Sequence, residues 1–309
     1  MRFLFVSNSD SASAWQKALQ QARPDITTMV YPQIGDPALI DYALAWRPPS
    51  GLLASLPNLK LIFSIGAGVD GLVDDPTYPR DIPLVRMVEW GLTEGMTDYV
   101  VWQVLSWHRQ AVLYWRDQQA KRWKPRHRKV ARERTVGILG LGVLGQDAAI
   151  KLAGLRFRVL GWSRNEKQVP DVECFHGEAG LVQVAAQSEI LVCLLPLTNE
   201  TVGILNRDLF AQMPKGACLI NAARGRHLVE EDLLAALDSG QLSGASLDVF
   251  HDEPLPNDHP FWDRPELVIT PHDASLTSPR TATQSIVDAI ALCEAGKPVP
   301  NLVDFERGY

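Results

Sequence analysis

The chain has 309 residues, 46% of them hydrophobic, with a formal net charge of −6 and an isoelectric point near 5.7. That length and apolar content suit about two folded domains, and the acidic balance argues against nucleic acid or an anionic membrane as a general partner. No apolar run approaches the ~18 residues of a membrane-spanning helix, the run near the start is too short for a signal peptide, and the four cysteines lack metal-ligand spacing. A cytoplasmic protein with no metal site is expected.

Residues 2–6 read as a strand, 12–22 as a helix and 26–30 as a second strand. Short strands follow at 42–46, 59–64 and 84–88. Pro48-Pro49 stops the first of these, and the next runs into Ile65-Gly66-Ala67-Gly68-Val69-Asp70. Strands alternating with short helices predict a parallel α/β layer. Residues 95–116 carry one long helical pattern. The segment 121–134 is strongly basic around Trp123. It reads as a solvated connector or an arm at a subunit interface rather than as a nucleic-acid contact.

Residues 135–163 hold the most informative pattern. The apolar run Val136-Gly137-Ile138-Leu139 leads into Gly140-Leu141-Gly142-Val143-Leu144-Gly145, an amphipathic segment and a second apolar run ending in Gly161-Trp162-Ser163-Arg164. Strand, glycine turn, helix and strand form the βαβ unit that binds a dinucleotide. Gly140 permits the tight turn, Gly142 lets a pyrophosphate approach the backbone, and Gly145 lets the helix pack against the strand. The free N–H groups at the helix start face the phosphates. An NAD site places Asp or Glu at the end of the second strand for the ribose 2′-hydroxyl. Ser163 and Arg164 stand there instead, with Lys167 beyond. Arg164 suits a 2′-phosphate, so NADP(H) is expected in preference to NAD(H).

Strands continue at 190–195, 217–220, 244–250 and 267–270, with a helix at 230–237. A last helix, capped by Ser278 with Pro279 in its first turn, runs to about Cys293 and ends before Gly296. Ligands of open α/β sheets sit beyond the carboxyl ends of the strands, which singles out Arg224, Asp248, Glu253 and His272. For hydride transfer to a 2-oxo acid, the carbonyl oxygen needs a proton donor, and His272 fits. Glu253 on its other ring nitrogen fixes the tautomer and favours the charged form. Arg224 offers a planar fork to the substrate carboxylate, and the N–H groups of Ala67, Gly68 and Val69 offer an anion nest.

These motifs resemble the D-isomer-specific 2-hydroxyacid dehydrogenase family over nearly the whole chain. The resemblance rests on Gly66-Ala67-Gly68-Val69-Asp70, the glycine motif, Leu195-Pro196-Leu197-Thr198 with Glu200-Thr201, Asn221-Ala222-Ala223-Arg224-Gly225, Leu247-Asp248-Val249-Phe250 with Glu253-Pro254, and Thr270-Pro271-His272. Within the family the chain looks most like the glyoxylate/hydroxypyruvate reductase A type, through Tyr42-Ala43-Leu44-Ala45-Trp46 with Arg47-Pro48-Pro49, the Gly161 to Arg164 strand end and the terminal Arg307-Gly308-Tyr309.

The resemblance implies an α/β fold of two Rossmann-like or flavodoxin-like parallel-sheet domains with the active-site cleft between them. Residues 1–97 with 278–309 would bind substrate, and 98–277 would bind NADP. It implies Arg224, Glu253 and His272 as the catalytic set. Cofactor contacts would come from Gly140, Gly142, Val143, Leu144, Gly145, Ser163, Arg164, Lys167, Leu195, Pro196, Thr201, Ala222, Ala223, Arg224, Asp248 and His272. Substrate contacts would come from Trp46, Ala67, Gly68, Val69, Arg224 and His272. The implied reaction is NADPH-dependent reduction of a small 2-oxo acid by a homodimer, with no nucleic acid and no membrane as partner. A bulkier 2-oxo acid, or a dinucleotide-sensing binding module on the same fold, stays open at this point. Asp273, where the family has a small or apolar residue, bears on pH optimum and substrate preference.

Overall fold

The computed structural model describes residues 1–309. The chain forms two compact units, Met1–Leu92 with Leu276–Tyr309, and Thr93–Ser275. The first opens with β1 (Arg2–Val6), α1 (Ala12–Ala22), β2 (Thr27–Val30), β3 (Tyr42–Ala45), β4 (Leu61–Ser64), α2 (Asp70–Val73) and β5 (Leu84–Val85). Its strands are all parallel, in the order β2-β1-β3-β4-β5. Side chains alternate between the two faces of a strand, and both faces are covered. Phe3, Phe5, Tyr42, Leu44, Leu61 and Phe63 enter one core. Leu4, Val6, Ala43, Ala45 and Ile62 enter the other. This double burial is why the strands read as unbroken apolar runs.

α3 (Trp90–His108) begins earlier than its sequence pattern suggests, because Glu89 caps it. One carboxylate oxygen accepts from Gly91 N–H at 2.6 Å and the other from Leu92 N–H at 2.7 Å. The division between units falls at Leu92/Thr93 and Ser275/Leu276, a few residues before the expected boundaries. The single helix expected over 95–116 is instead two. Gln110 takes a left-handed conformation at φ +58° and α4 (Ala111–Gln119) starts afresh. The burial of His108 edge-on to Phe157, ring centroids 5.0 Å apart, pins the end of α3. Neither glycine nor proline marks this break in the sequence.

The second unit continues with β6 (Thr135–Leu139), α5 (Val143–Gly154), β7 (Arg158–Ser163), β8 (Glu173–His176), α6 (Gly177–Gln187), β9 (Ile190–Cys193), α7 (Arg207–Gln212), β10 (Ala217–Asn221), α8 (Glu230–Asp238), β11 (Leu242–Leu247) and β12 (Leu267–Ile269). All pair in parallel, in the order β12-β11-β10-β9-β6-β7-β8. Alternation again divides each strand between two cores: Leu139, Leu160, Leu191, Leu219 and Leu247 on one face, and Val136, Ile138, Val159, Val192 and Ile220 on the other. β8, α6 and α7 went unassigned from the sequence. β8 is a part-exposed edge strand without apolar alternation. The strands expected at 190–195 and 244–250 stop at Cys193 and Leu247, where their neighbours run out. The last rungs are Leu139↔Cys193 and Asn221↔Leu247. The chain then returns to the first unit through α9 (Pro279–Glu294), capped by Ser278.

Strand order reverses direction at β1/β3 in the first sheet and at β6/β9 in the second. Such a switch point is where the loops at the carboxyl edge part and leave room for a ligand. Gly145 lies in the first turn of α5, packed against the tight turn that leads out of β6. A Cβ there would stand 1.8 Å from the Gly140 carbonyl oxygen. Gly145→Ala is expected to cost about 1–3 kcal/mol and to lower the thermal midpoint by several degrees in scanning calorimetry. Gly142→Ala should leave it near the wild-type value, because a Cβ at that position meets nothing within 4 Å. Equal midpoints for the wild type and Gly145→Ala would show that the turn opens without cost.

Candidate active site

At the switch point of the second sheet, Gly140 turns the chain with φ +106°. Gly142, which precedes α5, faces open space, and no side chain caps the helix there. The start of α5 therefore presents backbone N–H groups and the positive end of its dipole to that space, a cradle shaped for a phosphate. Val143 and Leu144 form the first turn behind it.

β7 ends beside this turn. The Ser163 hydroxyl donates to the Asn165 carbonyl at 2.7 Å, Arg164 follows, and Lys167 is exposed. No carboxylate directly follows β7 in sequence as it would in an NAD site, but the fold supplies one from elsewhere. The loop after β9 brings Glu200 to Arg164, Nη1 to Oε2 3.0 Å. That loop is held by Thr201, whose hydroxyl donates to the Pro196 carbonyl at 2.7 Å and accepts from Thr198 N–H at 2.8 Å. Thr201 thus shapes the segment of Leu195 and Pro196.

Beyond β10 the chain runs through Ala222 and Ala223 to Arg224. Asn221, fully buried, donates from Nδ2 to the Arg224 carbonyl at 3.0 Å and accepts from Ala223 N–H at 3.2 Å. Arg224 N–H donates to His227 Nδ1 at 3.2 Å, and the other ring nitrogen of His227 lies 3.2 Å from the Pro196 carbonyl. His227 thereby ties the arginine loop to the loop after β9. No local signal marks His227, which stands between Arg226 and Leu228 like any loop residue. Gly225 allows the arginine loop to press on the next one: a Cβ there would stand 2.0 Å from the Phe250 carbonyl carbon and oxygen.

The Phe250 segment leads to Glu253. One carboxylate oxygen of Glu253 accepts from Phe250 N–H at 3.1 Å, and the other meets His272 Nδ1 at 2.8 Å. The structure therefore brings Glu253 and His272 together and sets the Arg224 loop against the loop that carries the glutamate. His272 itself lies at φ +55°, an unusual conformation for a residue with a side chain.

Asp248 holds that conformation. It is 1% exposed. It accepts from the Thr270 hydroxyl at 2.6 Å, Asp273 N–H at 3.1 Å and Ala274 N–H at 3.1 Å. The Tyr99 hydroxyl in turn lies 2.9 Å from Thr270 Oγ1. Anchored on both sides of His272, the loop has no freedom to relax. These bonds make Asp248 an anchor of the His272 loop. Asp273 carries an exposed side chain, and its N–H is one of the anchors.

In the first unit, Trp46 follows β3 and its ring lies on Gly66, where a Cβ would come within 2.8 Å of Cζ3. Ala67, Gly68 and Val69 form the adjoining turn, braced by the Ser64 hydroxyl donating to the Gly68 carbonyl at 3.0 Å. A cavity of about 140 Å³ opens beside Trp46, walled by Ser7, Asn8, Tyr31 and Arg47. In neither unit do three or more His, Cys, Asp or Glu side chains cluster as metal ligands.

Residues 101–274 match the family described as D-isomer specific 2-hydroxyacid dehydrogenase, NAD binding domain. The chain belongs to this family. Two curated relatives, both named glyoxylate/hydroxypyruvate reductase A, come from Yersinia enterocolitica and Serratia proteamaculans. They are 43% and 42% identical across the full length of both chains. Among solved structures, a D-isomer specific 2-hydroxyacid dehydrogenase from Xanthobacter autotrophicus Py2 in complex with NADPH and MES superposes with a TM-score of 0.96. It is 43% identical, over 100% of this chain and 99% of that one. An NADPH-dependent glyoxylate/hydroxypyruvate reductase from Sinorhizobium meliloti in complex with NADP and sulfate gives 0.94 at 39% identity, covering both chains completely.

In this member of the family, burial holds the Asp248 carboxyl above the ordinary carboxylate range. The folded chain then keeps a proton that the unfolded chain has already released. Stability from this group therefore falls as pH rises from the ordinary aspartate value through the raised one. Asp248→Asn has no such proton. Urea unfolding at stepped pH should show the wild-type stability, measured relative to the variant, declining across that window. A flat difference would mean that the carboxyl is not held up.

Proposed function

We propose that the chain is an NADPH-dependent reductase of small 2-oxo acids, converting glyoxylate to glycolate and hydroxypyruvate to D-glycerate. The observation that carries the reading is the Glu253–His272 pair, 2.8 Å apart, on the carboxyl edge of a sheet whose switch point holds an open glycine cradle. The full-length likeness to the two reductases supports the substrate class. The NADPH and NADP complexes of the structural relatives support the cofactor.

The residues present fit such a cofactor. Gly142 and the start of α5 would take the pyrophosphate, Ser163, Arg164 and Lys167 the 2′-phosphate, and Leu195, Pro196, Ala222 and Ala223 the path toward the nicotinamide. When bound, NADPH supplies the hydride. Arg224 would grip the substrate carboxylate with its planar fork, and in the first unit the N–H groups of Ala67, Gly68 and Val69 offer an anion nest. With Nδ1 of His272 held by Glu253, proton donation to the carbonyl oxygen falls to Nε2. Glu253 holds the orientation of the ring before and after transfer. Trp46 stands on the substrate side within the first unit. On this reading the first unit binds substrate and the second the cofactor.

We assign the chain as a homodimer joined through α4 and the basic segment after it. Trp123 is 97% exposed and Trp102 and Trp115 are about half exposed, apolar surface that a partner subunit would cover. Free thiols at all four cysteines suit a reducing compartment, the cytoplasm. No helix is long and apolar enough to cross a membrane. A bulkier 2-oxo acid is the second reading.

Initial rates of cofactor oxidation, crossing NADPH and NADH with glyoxylate, hydroxypyruvate, pyruvate and phenylpyruvate, test both readings. Fast turnover of the two small acids with NADPH is expected. Preference for phenylpyruvate would move the assignment to the bulkier substrate. His272→Asn should lower kcat by about 10²–10⁴ while NADPH still binds, and near-wild-type turnover by that variant would remove His272 from the chemistry.

A further inference from the structure

The sheet order places β7 and β9 on either side of β6. Arg164 directly follows β7 and Glu200 lies in the loop after β9. Their ion pair, 3.0 Å between Nη1 and Oε2, therefore reaches across the end of β6, the strand that runs into the glycine turn. Glu200 is not on a loose tip. Its neighbour Thr201 is buried and stitched to Pro196 and Thr198, so the loop presents the carboxylate in one place.

We propose that Glu200 is a built-in competitor for the 2′-phosphate of the cofactor: it occupies Arg164 until the phosphate displaces it, and so tempers the preference for NADPH over NADH. The inference rests on the reading of Arg164 as the 2′-phosphate site. A carboxylate and a phosphate use the same guanidinium N–H donors. A phosphate monoester carries close to two negative charges, so it outcompetes a single carboxylate, but the competition lowers its apparent affinity by the fraction of time Arg164 spends with Glu200. NADH has only a hydroxyl at that position and makes no demand on the guanidinium. Both side chains are well exposed, 41% for Arg164 and 67% for Glu200, so solvent weakens the pair and the effect is a modest bias.

Binding is read by fluorescence titration of NADPH and NADH at fixed ionic strength, and by calorimetric titration of adenosine 2′,5′-bisphosphate. Glu200→Gln, an exposed and nearly isosteric change, should tighten NADPH and the bisphosphate by about two- to five-fold and leave NADH unchanged. In an Arg164→Gln background the same substitution should gain nothing. Unchanged or weakened NADPH binding by Glu200→Gln overturns the proposal. So does equal tightening of both dinucleotides, which would mean general charge repulsion, and so does a gain that survives the loss of Arg164. These are binding measurements, so a wild-type enzyme that binds NADPH yet reduces none of the four oxo acids would sink the functional reading while leaving the titrations decisive for Glu200.

Discussion

Burial of both faces of every central strand is the constraint on which the rest of this molecule depends. A parallel strand covered on two sides admits a polar side chain only where partners satisfy it, as Trp107 and Gln103 do for Ser246 in β11. Polar chemistry is displaced to the strand ends, and parallel pairing gathers those ends at one edge. The last rungs of the second sheet show how abruptly this happens. Pairing stops at Leu139, Cys193, Asn221 and Leu247, and within a few residues come the glycine turn, Glu200, Arg224 and Asp248.

Loops at such an edge are useful only if they are held. In this chain they are held by one another. Asn221 and His227 fold the Arg224 loop on itself and tie it toward Pro196. Gly225 admits the backbone at Phe250, and the Glu253 carboxylate is fixed at both oxygens. Asp248 restrains the backbone around His272 from a buried position. A buried carboxylate with three donors is well satisfied, and hydrogen bonds to a charged group contribute about 1.5–3 kcal/mol each, enough to maintain a left-handed histidine that unrestrained would relax. The imidazole is thus oriented from its ring by Glu253 and from its backbone by Asp248.

The strand order also governs charge at the cofactor end. Because β6 lies between β7 and β9, loops far apart in sequence face each other over the glycine turn. A basic strand end that reads as purely anion-binding thereby acquires an acidic neighbour. Selectivity between two dinucleotides at such a place depends on both charges, and the weaker, exposed pair leaves the stronger anion free to win.

Local pattern was enough for much of this protein. The apolar runs, the glycine spacing, the Ser278 cap and the polar residues after each strand are short-range features, and they mark out the parallel layers, the βαβ unit and Arg224, Glu253 and His272 as candidates. What they did not reveal depends on contacts between segments distant in sequence. The break at Gln110 follows from the burial of His108 against Phe157, and no local residue announces it. The edge strand β8 has no buried face to imprint a pattern. Asp248 as an anchor, His227 as a tie and Glu200 beside Arg164 all arise from which loops the sheet order makes neighbours. The residue types available for chemistry are written position by position along the chain. Which of them meet follows from strand order and burial, because these, and not spacing along the chain, set the distances between them.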